Sequence, residues 1–197
     1  MLSSSVHRLR QTPPRPPVAE ATEKTFRDAM GQLAGGVCVV TVGAHEDRTG
    51  ITATSVTSLY ADPPTLIVCV NRDASSYQAL TRFGVFAINV LAADQREVAE
   101  RFGAGSALKG SQRYQGGSWL VLPSGVYCLA DAAAVIECEV NERIERHTHA
   151  IVLGRVRYVS VGAGSGALVQ WRGTYDQVGW SADEISRAIG LSPTQGQ

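Results

Sequence analysis

Apolar and polar positions change their spacing several times along this chain. From Thr22 to Leu33, Phe26, Ala29, Met30 and Leu33 recur at helical spacing and Gly35-Gly36 follows. This predicts an amphipathic helix that ends at the glycines and leads into the fold. Val37 to Val42 is then a β-branched run, and Gly50 to Val56 sets Ile51, Ala53 and Ser55 against Thr52, Thr54 and Val56. The pair reads as two strands turning at His45 to Arg48. After Asp62-Pro63-Pro64, Thr65 to Val70 is apolar throughout, the pattern of a strand buried on both faces. Asn71-Arg72-Asp73 is a turn cluster, followed by a short helix from about Ser75 to Arg82 and a strand from Val85 to Leu91.

Asp94 with Glu97 has the spacing of a capping box, so a helix opens there and ends at Phe102-Gly103. Residues 104–125 are Gly-rich and irregular and read as a long loop. Val126 to Val140 and Ala150 to Val161 read as two long antiparallel strands joined through Asn141 to His149, and Leu168 to Trp171 as a last short strand. Ser181 with Glu184 predicts a terminal helix, which with a short tail makes up 181–197. Strands and helices do not alternate regularly, which points to an antiparallel barrel with peripheral helices, not a doubly wound parallel sheet.

Composition narrows the function classes. The 197 residues, 44% hydrophobic, suit one domain with a single sizeable core. Eighteen acidic residues balance 18 basic ones and no long Lys/Arg run exists, so nucleic acid is not an expected partner. No segment approaches the ~18 consecutive apolar residues of a membrane span. Cys38, Cys69, Cys128 and Cys138 form no C-x-x-C pair, which suits free thiols in a reducing, cytoplasmic compartment. Residues 1–22 carry Pro13, Pro14, Pro16 and Pro17, three arginines and no acid before Glu20. They read as a disordered tail, since their Ser/Arg content lacks the amphipathic pattern of a transit peptide. The folded domain is expected over 23–180.

No G-x-G-x-x-G follows the first strand, and neither a P-loop nor a G-x-S-x-G elbow is present, so the Rossmann, P-loop and hydrolase-elbow mechanisms have no support. The informative stretch is Gly50 to Leu59, dense in Thr and Ser, followed by Asp62-Pro63-Pro64 and Leu66 to Asn71. Small hydroxyl residues on a strand let a flat ring lie against the backbone while N–H groups and hydroxyls reach its polar edge. An ordinary Thr-rich edge strand has the same composition. Asn71, Ser75, Ser76 and Tyr77 lie where a strand turns into a helix, where hydroxyls and free amides can meet a phosphate. A simple Ser N-cap looks identical in sequence.

Five segments in order give the chain a resemblance. They are Phe26 to Met30 with Gly36-Val37, Gly50 to Ser58 with Asp62-Pro63-Pro64, Phe86 to Leu91, Ala99 to Phe102, and Trp171 to Tyr175. Together they resemble the short-chain flavin reductase family, the reductase halves of two-component flavin monooxygenases, from about Phe26 to Tyr175. The resemblance implies a mainly β fold, a Greek-key split barrel of the FMN-binding type. It implies that Thr52, Ala53, Thr54 and Ser55 flank the flavin ring and ribityl chain. Cys69, Asn71, Ser75, Ser76 and Tyr77 would hold the ribityl chain and phosphate, and Asn89, Arg101 and Phe102 would close the site. His149 and Tyr175 would contact the nicotinamide nucleotide.

Many members carry Gly-Asp-His where this chain has His147-Thr148-His149. Only the last His is retained, and the lost Asp would orient the imidazole or meet a ribose hydroxyl. His147 and His149 share a strand face, but no third ligand is in register, so no metal is expected.

The activity implied is hydride transfer from NADH or NADPH to FMN or FAD with no catalytic side chain, because alignment of the two cofactors suffices. A homodimer and a separate partner monooxygenase are implied with it. Two other readings stay open: a split-barrel protein that keeps its flavin and reduces a corrinoid or metal complex, and a flavin carrier without turnover.

Overall fold

A computed structural model describes residues 20–162 and 166–179. The proline-rich tail, the ends of the 23–180 domain span and the terminal helix expected from Ser181 lie outside those residues. The first helix, α1 (Glu23–Met30), is shorter than predicted and is capped by Thr22, whose hydroxyl accepts the Thr25 N–H at 3.1 Å. No residue of α1 is buried.

Among the described residues twelve strands and two further α-helices follow. They are β1 (Gly35–Gly36), β2 (Cys38–Val42), β3 (Thr49–Ala53), β4 (Val56–Ala61), β5 (Pro64–Asn71), α2 (Ser75–Phe83), β6 (Val85–Val90) and α3 (Arg96–Phe102). After these come β7 (Trp119–Val121), β8 (Tyr127–Leu129), β9 (Ala134–Arg146), β10 (His149–Val161), β11 (Ala167–Trp171) and β12 (Thr174–Val178).

Seven strands form one antiparallel sheet in the order β3-β2-β6-β9-β10-β5-β4. The two edges, β3 and β4, are consecutive in sequence, yet no ladder joins them. The sheet is therefore a barrel split between them, as the mainly β split-barrel expectation requires. Smaller sheets, β1-β11-β12 and β7-β8, flank it.

Strand β2 shows why its sequence is apolar without alternation. Cys38, Val40 and Val42 face a core shared with Leu66, Val68, Leu80, Phe86 and Ile88, while Val39, with Val37, faces a second core with Leu91, Phe102, Leu129 and Leu168. A central strand with two buried faces has no polar face to display. Of the four free cysteines three are buried, and burial pushes the thiol of Cys38 up to about 11 and that of Cys138 to about 12. Both stay protonated at neutral pH.

Several expectations need correction. The single strand read from Gly50 to Val56 breaks at Thr54-Ser55, because β3 pairs with β2 and β4 pairs with β5. In β5 one face, with Leu66, Val68 and Val70, is core, and Ile67 and Cys69 are only half-buried. The Asp94/Glu97 capping box is not formed. Gln95 is the N-cap residue, and its amide oxygen accepts the Ala92 N–H while its NH2 group donates to Asp131 O, both at 2.9 Å. The 104–125 stretch holds a 3₁₀ turn (Gly110–Tyr114) and β7.

The nine-residue connection predicted from Asn141 to His149 shrinks to His147-Thr148, with β9 and β10 continuing to either side. Cross-strand pairing down both long strands overrode the polar composition of 141–146. β12 carries no strand signal in its sequence, since its residues are polar without alternation, and among the described residues its strand partner is β11.

Candidate functional site: the cleft at the split

An open cleft of about 530 Å³ lies at the corner where β3 passes into β4. Thr52, Ala53, Thr54 and Ser55 line it from the corner, Cys69 and Asn71 from β5, Ser75 from the start of α2, Phe102 from the end of α3 and His149 from the start of β10. The sheet register explains this convergence: β5 and β10 are neighbours, with His149 directly opposite Asn71. Residues far apart in sequence thus meet at one end of the barrel, beside its unpaired edges.

The polar groups of the corner are largely committed. Thr52 donates its hydroxyl to Ala99 O at 2.6 Å. Ser55 donates to Cys69 O at 3.0 Å and accepts the Cys69 N–H at 3.3 Å, bridging the corner to β5 where the backbone ladder has stopped. The corner therefore offers a ligand mainly small side chains, the Thr54 hydroxyl and peptide edges. Gly50 makes the floor possible, because a Cβ there would lie 2.5 Å from Val40 O and 2.9 Å from the Phe102 ring.

The cleft's other end is built from a turn and a helix start. Asn71 accepts the Asp73 N–H through Oδ1 at 2.8 Å and the Ala74 N–H through its carbonyl at 3.1 Å, an Asx-type turn. The turn delivers α2 with Ala74 as N-cap and no side chain on its first amides. Ser75 is the first helical residue, and its hydroxyl is 3.1 Å from that of Thr49. Free amides and hydroxyls at the start of a helix suit a phosphate.

Arg113, which no sequence pattern singled out, also lines the cleft. Its Nη1 donates to Phe102 O at 2.7 Å and Gly50 O at 3.2 Å, and its Nε to Leu108 O at 3.0 Å. Burial pushes its guanidinium pKa down, against the opposing pull of Tyr114. Only its contacts across the fold reveal it; its own segment is an irregular polar stretch.

Five expected site residues lie elsewhere. Ser76, one position past Ser75, is fully buried with its hydroxyl unpartnered. Tyr77 donates its hydroxyl to Glu145 Oε1 at 2.6 Å, in a depression on the far side of Asp73. That bond and burial raise the phenol pKa. Asn89 is buried in the sheet, donating to Val39 O at 2.9 Å and Thr41 Oγ1 at 3.1 Å and accepting the Leu129 N–H at 2.7 Å. It ties β8 to the sheet.

Arg101 sits on a different face of α3 from Phe102. It reaches Glu97 at 3.7 Å and covers Gly116. Tyr175 is in β12 with the Arg96 guanidinium 5.9 Å from its ring centroid, and burial, then Glu100, raises its pKa.

His149 is held by its neighbours. Thr148 Oγ1 is 2.8 Å from His149 Nδ1. Arg72 clamps the turn before it: its N–H donates to Thr148 O at 2.9 Å, Nη1 to His147 O at 3.0 Å, and Nη2 meets Glu145 Oε2 at 2.7 Å. His147 adopts φ 45 in that turn and lines the depression beside Tyr77, not the cleft with His149.

Comparisons with known proteins agree with this architecture. The chain is 35% identical over 164 residues to the FMN reductase (NADH) RutF of Pseudomonas syringae, covering 83% of this chain and 91% of that protein. It is 36% identical over 157 residues to RutF of Agrobacterium fabrum, covering 80% and 89%. Among solved structures, the NADH:FAD oxidoreductase SgcE6 of Streptomyces globisporus, in complex with NAD and FAD fragments, superposes with a TM-score of 0.73 at 32% identity, covering 84% of this chain and all of that one. BorF, the flavin reductase component of a bacterial two-component tryptophan halogenase, gives 0.75 at 29%, covering 81% and 100%. The profile of the flavin reductase like domain matches residues 30–179, and the chain belongs to that family.

Proposed function

We propose that this protein is an NAD(P)H:flavin oxidoreductase, in which a reduced nicotinamide donates a hydride that the flavin ring accepts. The observation that carries the reading is the cleft at the split: a small-residue corner over Gly50, a hydroxyl-bearing helix start at Ser75 and an imidazole at its rim. The cleft fits a flavin nucleotide in its chemistry. Peptide edges at Thr52 to Ser55 suit a flat polar ring, Ser75 and the uncapped amides of α2 suit the phosphate, and Arg113 adds positive charge.

In this reading the protein's residues bind and align without proton transfer of their own. The β3–β4 corner fixes the ring plane, and Phe102 and Ile51 keep water from its inner side. His149, oriented by Thr148 and by the Arg72 clamp, holds the nicotinamide end. Ser76, Tyr77, Asn89 and Arg101 act behind the cleft as scaffold. A single flavin-binding domain over 23–180 is part of the proposal, supported by the profile match.

The exposed apolar side chains support a homodimer. Phe26, Met30 and Leu33 at α1, Tyr158, Val159 and Val161 on the outer half of β10, and Trp171 are all solvent-exposed. Exposed apolar side chains in this number are surface that association would cover. Tyr175, remote from the cleft of its own chain, is then available to a partner's. Supply of reduced flavin to a separate monooxygenase and a cytoplasmic location complete the proposal. No helix among the described residues is long and apolar enough to cross a membrane.

The test is NADH and NADPH oxidation by the purified protein with FMN, FAD or no added flavin, alongside light scattering for its mass. Rapid oxidation that depends on added flavin, by a dimer, is expected. Flavin binding without oxidation would replace the reductase reading with a carrier.

A further inference from the structure

The turn that delivers His149 to the cleft is held from outside it. His147 and Thr148 alone join β9 to β10, with Arg146 and His149 paired across them. His147, the first of the two, has φ 45. Glycine is the favoured residue at that conformation in a two-residue hairpin connection. A residue with a side chain keeps it only where surrounding contacts impose it.

Those contacts converge on Arg72. It follows Asn71, which lies opposite His149 in the β5–β10 ladder. Its N–H donates to Thr148 O at 2.9 Å and its Nη1 to His147 O at 3.0 Å, so both carbonyl oxygens of the turn end on one residue. Its Nη2 meets Glu145 Oε2 at 2.7 Å, and Oε1 of the same carboxylate accepts the Tyr77 hydroxyl at 2.6 Å. Glu145 thus sets the plane of the guanidinium, and Tyr77 anchors Glu145 to α2.

The side chains of Arg72 and Glu145 are 41% and 48% exposed, and an ion pair in that setting adds little to stability. What it supplies is direction: a planar fork with one arm on the carboxylate and the other on the carbonyl of the left-handed residue. The last link is Thr148, whose Oγ1 lies 2.8 Å from His149 Nδ1. That contact engages one ring nitrogen and leaves Nε2 for a ligand. Neither Arg72 nor Glu145 lines the cleft.

We propose that Arg72 and Glu145 are positioning residues for His149, holding the His147-Thr148 turn so that Thr148 fixes the imidazole at the cleft rim. This role rests on the reading of His149 as the nicotinamide contact.

Steady-state kinetics with NADH, a flavin titration and ¹⁵N spectra of the histidine rings in the flavin-free protein test it. KM for NADH should rise about fivefold in Arg72→Ala and about threefold in Glu145→Ala, with kcat and flavin affinity each changed by less than about twofold. Arg72→Lys, which keeps the charge and loses the fork, should fall between wild type and Arg72→Ala. On a His149→Ala background, Arg72→Ala should add less than about twofold, since a positioning effect needs the group it positions. The His149 ring signals should move in Arg72→Ala while those of His45 stay. An unchanged KM or unmoved His149 signals in Arg72→Ala, an equal rise with and without His149, or an equal loss of flavin affinity would overturn the positioning role and leave the reductase reading standing. If His149→Ala itself leaves KM for NADH unchanged, the nicotinamide reading of His149 falls and the role with it.

Discussion

The cleft at the split and a second groove beyond it, along α2, meet at Ser75 and Arg113 but are made of different material. The cleft is walled by short side chains whose hydroxyls are already bonded to backbone, as Thr52 is to Ala99 and Ser55 to Cys69. It offers shape and peptide edges, fixed by the strand register. The groove is walled by long cationic side chains on surface turns and on α2. The difference teaches that the first should discriminate by fit and tolerate no added volume, whereas the second should discriminate by charge and weaken with salt.

Arg113 belongs to both regions, so its removal should break the comparison with the largest effect. Arg113→Ala deletes the donor shared by three carbonyls and should cost about 3 kcal/mol of stability. Flavin affinity should fall with it, and thermal unfolding with and without FMN measures both. Gly50→Ala tests fit alone. The added Cβ meets backbone at 2.5 Å, and overpacking of this kind costs about 1 to 3 kcal/mol. Riboflavin and FAD affinities should fall together.

His149→Ala sharpens the comparison on the nicotinamide side. KM for NADH should rise about tenfold, a loss of about 1.4 kcal/mol, with flavin affinity nearly unchanged; steady-state kinetics and a flavin titration separate the two. The smallest effect should come from Tyr77→Phe, about 1 kcal/mol for one lost hydrogen bond.

Its pH dependence has a definite sign. The Tyr77 hydroxyl, and after it Arg72, holds the Glu145 carboxyl below the usual carboxylate range in the folded protein. The stabilisation is therefore present above the ordinary carboxylate pKa and is lost as pH falls through the lowered folded value. Denaturant midpoints of the wild type and the variant should differ at neutral pH and converge in acid.

The corner residues Thr52 to Ser55 were legible because a Thr/Ser run next to an Asp-Pro-Pro turn is a local signal. The same holds for α2, whose apolar positions Tyr77, Ala79 and Leu80 are buried as periodicity requires. By contrast, α1 has the same helical period but buries nothing; a pattern shows that a face seeks cover without saying what supplies it. Asn89 and Arg101 lie in segments that resemble the family, yet Asn89 satisfies a buried strand and Arg101 turns from the cleft one helical step before Phe102. Sequence adjacency carries no information about such a step of rotation.

What the sequence determined by itself is local: most of the strand and helix segments, the turns at Asp62-Pro63-Pro64 and Asn71-Arg72-Asp73, that no cysteine pair has C-x-x-C spacing, and which family's segments it carries. What only the tertiary structure decided is which of those residues meet. The break at Thr54-Ser55 puts consecutive strands on opposite edges of one sheet, and the β5–β10 register sets His149 opposite Asn71. Arg113 reaches the cleft from a segment with no periodic signal. These placements depend on hydrogen-bond register and packing between residues far apart in the chain, which no window of local pattern contains.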